Sequence, residues 1–276
     1  MADEAIVGKA SKSIFRTPCG LSIAHVAKAE TTFAYKEIFE DKIYFQHGIE
    51  VRDGDCVFDV GANIGLFTIF VQERYRDVTS FSFEPSPEVF PLLQLNIAKY
   101  GSRARAYPFG LADEERQATF TYYPAYSIMS GFHASDVDNR IAARAVILNQ
   151  WHERFPQQED PEERFLEELV DGILNRKTEY PCRLRRLSDV FRETGVAEIS
   201  LLKIDAEGSE SEILAGIDPA DWPRIRQMVL EVHDPDHTRG PAIRDLLESK
   251  HYECVSREEA QFRSTGISNC YARRRC

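Results

Sequence analysis

VFDVGANIGLFTIF, residues 57–70, decides how the rest of this chain is read. An apolar run carrying Asp59 meets a Gly-x-Asn-x-Gly turn made by Gly61, Asn63 and Gly65, and an amphipathic stretch follows. That is a buried strand, a tight loop and the start of a helix. Glycines let a loop backbone approach a ligand closely, because no Cβ stands in the way. The helix N-terminus then offers unpaired N–H groups. Such a unit suits a nucleoside-containing ligand at the carboxyl edge of a parallel sheet. A dinucleotide fingerprint would read G-x-G-x-x-G. The shorter G-x-N-x-G lacks that phosphate cradle and points to S-adenosylmethionine (SAM), whose methionine tail carries no phosphate.

Working outward, strands and helices alternate. CVFDV (56–60) is the first strand of the series and FTIFVQERY (67–75) a helix with an apolar stripe. TSFSFEP (79–85) is the next strand and ends at Glu84. A helix follows, with Ser86 as its expected N-cap, Pro87 in its first turn and Gly101 at its end. RAYPFGLAD (105–113) reads as the third strand and its edge, including Gly110, Leu111 and Ala112. The rhythm resumes with ISLLKIDAEG (199–208), a short helix, RQMVLEVHD (226–234), a helix running into a strand, and STGISNCYARR (264–274) as the closing strand. This spacing indicates βαβ units and an α/β fold with a parallel sheet.

Two segments interrupt the rhythm. Residues 1–50 precede it, and TTFAYKEIFEDKIYFQHGI (31–49) within them is rich in aromatics and helix formers. This segment either caps the cofactor site or packs on the sheet edge, and sequence slightly favours packing. Between about 115 and 181 lies an insertion. ATFTYYPAYSIMSGF (118–132) is aromatic and Ser-rich. In the polar stretch after it, Phe165, Leu166, Leu169, Val170, Ile173 and Leu174 recur at helical spacing, so a helix starts after Pro161. The Tyr, Ser and Met content favours a lid over the substrate.

A chain of 276 residues can bury one large core, and it is read as a single domain, 1–276. It opens on Met1 with no apolar leader and is expected to be complete and cytoplasmic. No apolar stretch is long enough for a membrane span. The six cysteines form no C-x-x-C pair and read as reduced structural thiols. The net charge is −11, and the only basic clusters are RLRR (183–186) and the tail ARRRC (272–276). A nucleic-acid partner is therefore disfavoured.

Three polar clusters fall at strand ends, where ligands of open α/β sheets lie. Glu84 is placed to accept hydrogen bonds from both ribose hydroxyls. Asp205 and Glu207 close KIDAEG. Acids there are costly to bury without partners. They could orient the cofactor's ammonium group, hold substrate, bind a metal or cap the helix after Gly208 and Ser209. Strand alternation puts Glu231 and His233 on one face, with Asp234 beside them. His233 is the expected general base, oriented by Glu231. His47 and His133 offer the same chemistry more weakly.

Taken together, these segments resemble the FkbM-type SAM-dependent methyltransferases, and more closely the O-methyltransferases of polyketide and mixed peptide–polyketide synthases. The resemblance is carried by VFDVGANIGLF, FEPSPEVF, YPFGLAD, SIMSGFHA, CRLRRLSDV, LLKIDAEGSESEILAGI and VLEVHD, with AETTFAYKEIFEDKIYFQHGI upstream. It implies a class I methyltransferase, Rossmann-like fold: a seven-stranded, mostly parallel sheet with an antiparallel last strand, an N-terminal cap and an inserted helical lid. It implies SAM as cofactor, and S-adenosylhomocysteine as product, in a pocket of Asp59, Gly61, Asn63, Gly65, Glu84, Ser86, Gly110, Leu111 and Asp205. It implies catalysis by His233, Glu231 and Asp205. The acceptor is expected to be a hydroxyl of a small molecule, free or carried as a β-hydroxyacyl group on an acyl carrier protein. Tyr126, Met129, Ser130 and His133 are expected to line the substrate side.

A metal is not expected. The metal-dependent alternative would use Asp205, Glu231 and Asp234. Three other readings share the loop: C- or N-methylation, a nicotinamide oxidoreductase with longer Gly spacing, and a non-catalytic SAM-binding, carrier-docking module.

Overall fold

A computed structural model describes residues 13–133, 136–259, 262–263 and 265–275. The expectations for residues 1–12 and Cys276 lie outside them. A hairpin, β1 (Ser13–Arg16) and β2 (Ser22–His25), leads into α1 (Lys28–Tyr35), a π-helical turn (Lys36–Asp41) and a 3-10 turn (Ile43–Phe45). Then come β3 (Cys56–Val60), α2 (Leu66–Arg74), β4 (Thr79–Phe83), α3 (Phe90–Tyr100), β5 (Ala104–Tyr107) and β6 (Gly110–Ala112). The insertion holds β7 (Arg116–Tyr122), α4 (Asp136–Arg154) and α5 (Glu163–Leu174), and β8 (Thr178–Arg186) closes it. α6 (Leu187–Thr194), β9 (Leu201–Asp205), α7 (Glu210–Ala215), β10 (Gln227–His233), α8 (Arg239–Ser249), β11 (Tyr252–Arg257) and β12 (Ile267–Arg274) complete the chain.

The main sheet has seven strands in the order β11-β12-β10-β9-β3-β4-β5. Only β12 runs antiparallel, against both β10 and β11. This is the α/β sheet that the resemblance implies. Its central strands read as apolar runs because helices cover both faces. In β3, Val57 faces the side packed by Leu66, Phe67 and Phe70 of α2. Phe58 and Val60 face the side packed by Val190 and Phe191 of α6 and by Leu247 of α8. The chain leaves β3 toward β4 on one side, and β9 lies on the other. That reversal opens a crevice at the carboxyl ends of the strands.

Four features differ from the sequence-based expectation. RAYPFGLAD divides into β5 of the main sheet and β6 of a second, three-stranded sheet, β6-β8-β7. β7 and β8 pair from Arg116↔Leu184 to Tyr122↔Thr178, so the aromatic start of the insertion is strand. Long-range pairing of this kind leaves little local signal. α3 begins at Phe90, later than expected, because Ser86 caps the turn before it: the Ser86 carbonyl accepts from Phe90 N–H (2.9 Å) and its Oγ from Val89 N–H (3.3 Å). α4 was not anticipated. Its Arg140 and Arg144 pair with Glu163, Glu167 and Asp171 of α5, which accounts for the acidic stretch there.

The segment before β3 packs into the core and also reaches the cavity. Ile38, Ile43 and Tyr44 pack into the core beside α2, and Glu30, Glu37 and Tyr44 also line the central cavity. Asn96 of α3 ties the hairpin down. Its Oδ1 accepts from Ala24 N–H (2.8 Å), and its Nδ2 donates to the carbonyls of Ala24 (2.9 Å) and Ile64 (2.8 Å).

Cys19, Cys56, Cys182, Cys254 and Cys270 are free thiols. The RLRR arginines are neutralised: Arg183 pairs with Glu115, Arg185 with Glu193 and Arg186 with Asp218. Among the described residues, no helix is long and apolar enough to cross a membrane.

Candidate active site

A cavity of about 680 Å³ opens at the carboxyl edge of the main sheet. The loop after β3 forms one wall. Gly61 takes φ +72°, and a Cβ there would sit 1.7 Å from the Asp205 carbonyl oxygen, so only glycine fits. Asn63 also adopts a left-handed φ of 48°. This aims its N–H at Glu84 Oε2 (2.9 Å), while Ser86 N–H reaches Glu84 Oε1 (2.8 Å). Both oxygens of Glu84 are thereby fixed, each with a lone pair to spare. Burial pushes the Glu84 carboxyl up to about 7, against those two N–H groups, which lower it.

Two expected cofactor residues, Asp59 and Gly65, are not on the cavity wall. Asp59 is fully buried behind the loop and absent from the cavity wall. Its Oδ2 accepts from Thr68 Oγ1 (2.7 Å) and its Oδ1 faces Lys203 Nζ (3.2 Å). Gly65 caps the start of α2 at φ +88°, where a Cβ would strike Leu93 of α3. Helix packing explains that glycine, and the residue does not line the cavity. Gly61, Asn63, Glu84, Ser86, Gly110, Leu111 and Asp205 do line it.

Lys203 is the residue that sequence reasoning missed. It sits in the apolar run LLKID with a side chain only 4% exposed. Its Nζ donates to the Gly61 carbonyl (2.9 Å) and pairs with Asp59 (3.2 Å) and Asp205 (3.3 Å). Burial lowers an ammonium pKa, but Asp205 and Asp59 outweigh it and hold Lys203 above its usual value. A lysine interrupting a central strand was the available signal, since an unpaired charge is not tolerated there. Tyr44 adds a hydrogen bond from its hydroxyl to Asp205 Oδ2 (3.0 Å).

Opposite the loop stands a group of ionisable side chains. Strand register places Glu231 of β10 beside Asp205 of β9. His233 Nδ1 lies 3.1 Å from Glu210 Oε1, and its Nε2 lies 3.1 Å from Glu207 Oε2 and 3.6 Å from Glu231 Oε1. The expected His233–Glu231 pair is present but is the longest of three contacts that the ring makes. The ring is oriented by Glu210, from the first turn of α7, and faces Glu207 and Glu231 together. Burial would lower the His233 pKa, but Glu207 and Glu210 raise it well above the ordinary value. Burial raises Glu207, and it raises Glu231 well above the usual carboxylate range, with Asp205 adding repulsion.

Asp234 does not belong to this group. Its carboxylate caps α8, accepting from Arg239 N–H and Gly240 N–H (2.8 Å each). The metal set Asp205, Glu231 and Asp234 is therefore not assembled. Glu207, Glu231 and His233 instead bring their ligating atoms within 4.8 Å of one another.

The insertion closes the far wall. Tyr126, Met129, Ser130 and His133 all line the cavity. Ser130 Oγ is occupied by Tyr123 N–H (3.0 Å) and His133 Nε2 lies 3.1 Å from Glu212 Oε1. Glu30 of α1 bridges across to the Ser127 hydroxyl (2.5 Å), joining the N-terminal segment to the insertion. His47 lies elsewhere, against the Tyr271 ring.

Comparison with known sequences agrees with this geometry. The family model described as Methyltransferase FkbM domain matches residues 59–254. The chain is 39% identical over 259 residues to 31-O-demethyl-FK506 methyltransferase FkbM of Streptomyces tacrolimicus, covering 94% of this chain and 96% of that one. It is 37% identical to AMB antimetabolite synthetase AmbE of Pseudomonas aeruginosa over 92% of this chain but only 12% of that protein. It is 32% identical to methyltransferase sdnD of Sordaria araneosa, covering 92% and 94% of the two chains.

Proposed function

Because the chain belongs to the FkbM family of SAM-dependent methyltransferases, we propose that it methylates a hydroxyl oxygen of a polyketide or peptide–polyketide intermediate. The observation that carries this reading is the Glu207–Glu231–His233 group facing the same cavity as the Gly61–Asn63 loop. A hydroxyl acceptor has a proton to lose, and this wall can receive it. The similarity to 31-O-demethyl-FK506 methyltransferase FkbM and to AMB antimetabolite synthetase AmbE supports an oxygen acceptor on a natural product. So does the apolar far wall, with Ile128, Met129, Phe132 and Phe262.

The cavity fits the cofactor. Its loop has no Cβ at Gly61, and Glu84 is fixed at the end of the neighbouring strand with acceptor capacity left for ribose hydroxyls. Bound SAM supplies an electrophilic methyl group on a sulfonium. The methyl group would pass to the acceptor oxygen, with the electron pair of the S–C bond left on sulfur. The chain's task is to hold the oxygen in line and take its proton. Positioning alone lowers such barriers by about 7–11 kcal/mol. Proton removal is assigned to the Glu207–Glu231–His233 wall as a unit, since both nitrogens of His233 already face carboxylates.

The test is intact-mass detection of methyl transfer from SAM to a β-hydroxyacyl carrier-protein thioester and to the corresponding free hydroxy acid thioester. A gain of one methyl group, base-stable as an ether, is expected. No gain on either, with SAM bound, would overturn the acceptor assignment.

Glu84 makes SAM affinity pH-dependent. Ribose hydroxyls donate to the ionised carboxylate, so binding favours the form present above its pKa of about 7. Affinity therefore falls as pH drops through that value, by about tenfold between pH 8 and pH 6. Calorimetric titration of SAM across this range checks it. Glu84→Gln should bind weakly at both ends with the dependence gone; a retained tenfold dependence would move it to another group.

A further inference from the structure

We infer that Glu207, Glu231 and His233 form a binding site for one divalent, oxygen-preferring cation of the Mg²⁺/Mn²⁺ class, held against the cavity where the acceptor oxygen lies. Three observations carry this. The first is spacing. Neighbouring ligands of an octahedral ion at its usual bond length lie about 3 Å apart. His233 Nε2 lies 3.1 Å from Glu207 Oε2 and 3.6 Å from Glu231 Oε1. One imidazole and two carboxylates on one side leave the remaining positions open to the cavity, for water and an acceptor hydroxyl.

The second is the support behind the ring. His233 Nδ1 faces Glu210 Oε1 at 3.1 Å, and the Glu210 side chain is fully buried. Glu210 is itself held by Gly208 N–H (2.8 Å). A carboxylate behind a histidine, pointing its other nitrogen forward, is the arrangement that fixes the tautomer of metal-binding histidines.

The third is a weakly paired carboxylate. Lys203 serves Asp59 and Asp205, and His233 serves Glu207 and Glu210. Glu231 has a side chain only 9% exposed and lines the cavity. Among the described residues it accepts no hydrogen bond, and its nearest cation is His233 at 3.6 Å. Its pair with His233 is the longest that the ring makes, and a divalent ion placed between Glu207 and Glu231 would give the ionised carboxylate a closer countercharge. Asp205 is outside the ligand set because Tyr44 and Lys203 already occupy its Oδ2.

What the ion does rests on the methyl-transfer reading: it would hold the acceptor oxygen and ease loss of its proton. Its binding does not depend on that reading. The test titrates Mn²⁺ into the full chain, following free Mn²⁺ by electron paramagnetic resonance, with SAM affinity measured on every variant. One Mn²⁺ per chain is expected. Glu231→Gln and Glu207→Gln should each weaken it at least tenfold, and Glu210→Gln by about 10–100-fold. Unchanged SAM affinity shows that the variants fold. No Mn²⁺ binding at millimolar concentration, or binding unaffected by the Glu231 and Glu207 changes, overturns the site. Methyl transfer that survives EDTA while Mn²⁺ fails to bind removes the ion and leaves the methyltransferase reading intact. Mn²⁺ bound here without transfer to either hydroxyl supports the site and overturns the acceptor.

Discussion

His233→Ala is expected to lower methyl-transfer turnover by about 10²–10⁴-fold while SAM affinity stays within a few-fold of the unsubstituted chain. The ring is the hub of the wall opposite the cofactor loop. It sits between Glu210 on one side and Glu207 and Glu231 on the other. Its removal leaves the two front carboxylates with no cation between them and the acceptor oxygen with no ordered partner. The proposed cofactor contacts lie on other elements, the β3 loop and the end of β4, so SAM binding is expected to be spared. Single-turnover kinetics with a parallel SAM titration separates the two effects. Near-normal turnover would remove His233 from the reaction. Equal losses in turnover and SAM affinity would make its role structural.

Lys203→Met is expected to destabilise the fold by about 3–5 kcal/mol, the range for removing one partner of a buried ion pair. Met fills the volume of the alkyl stem but leaves Asp59, which has no exposed surface, with only Thr68 as partner. It also releases the Gly61 carbonyl from its 2.9 Å bond to Nζ, so the cofactor loop loses its anchor to β9. SAM affinity should therefore fall along with stability, which His233→Ala does not cause. Denaturant melts give the stability change. The double variant Asp59→Asn with Lys203→Met should recover part of it, because the stranded charge is gone. A Lys203→Met chain as stable as the original would show that Asp59 needs no countercharge.

The contrast between these residues shows what the sequence could reveal. The β3 strand, its glycine turn and the helix after it were legible because their signals are local: an apolar run, two glycines and a helical period. Glu84 was legible as a cavity residue because strand ends in such sheets face the crevice. The buried pairing of Asp59 was not legible because nothing local says that a lysine separated from it by five strands in sequence, on the spatially adjacent β9, points at it. Gly65 looked like part of the cradle, yet its missing side chain makes room for Leu93 of α3. In the same way Glu231 and His233 were correctly placed on one edge by alternation, but the histidine's closest partners, Glu207 and Glu210, come from the turn between β9 and α7. That turn meets β10 only in the folded chain. In the insertion, α5 showed its apolar stripe, whereas α4 is diluted with polar residues that pair with α5 and carry little periodic signal.

The central claim is that one cavity holds the adenosine end of SAM at Glu84 and directs its sulfur at the Glu207–Glu231–His233 wall. A crystal structure of the chain with S-adenosylhomocysteine tests it most directly. Both ribose hydroxyls are expected within hydrogen-bond distance of the Glu84 carboxylate, with the open side of the sulfur facing Glu231 and His233. A ribose bound away from Glu84, or a sulfur turned from that wall, would contradict it.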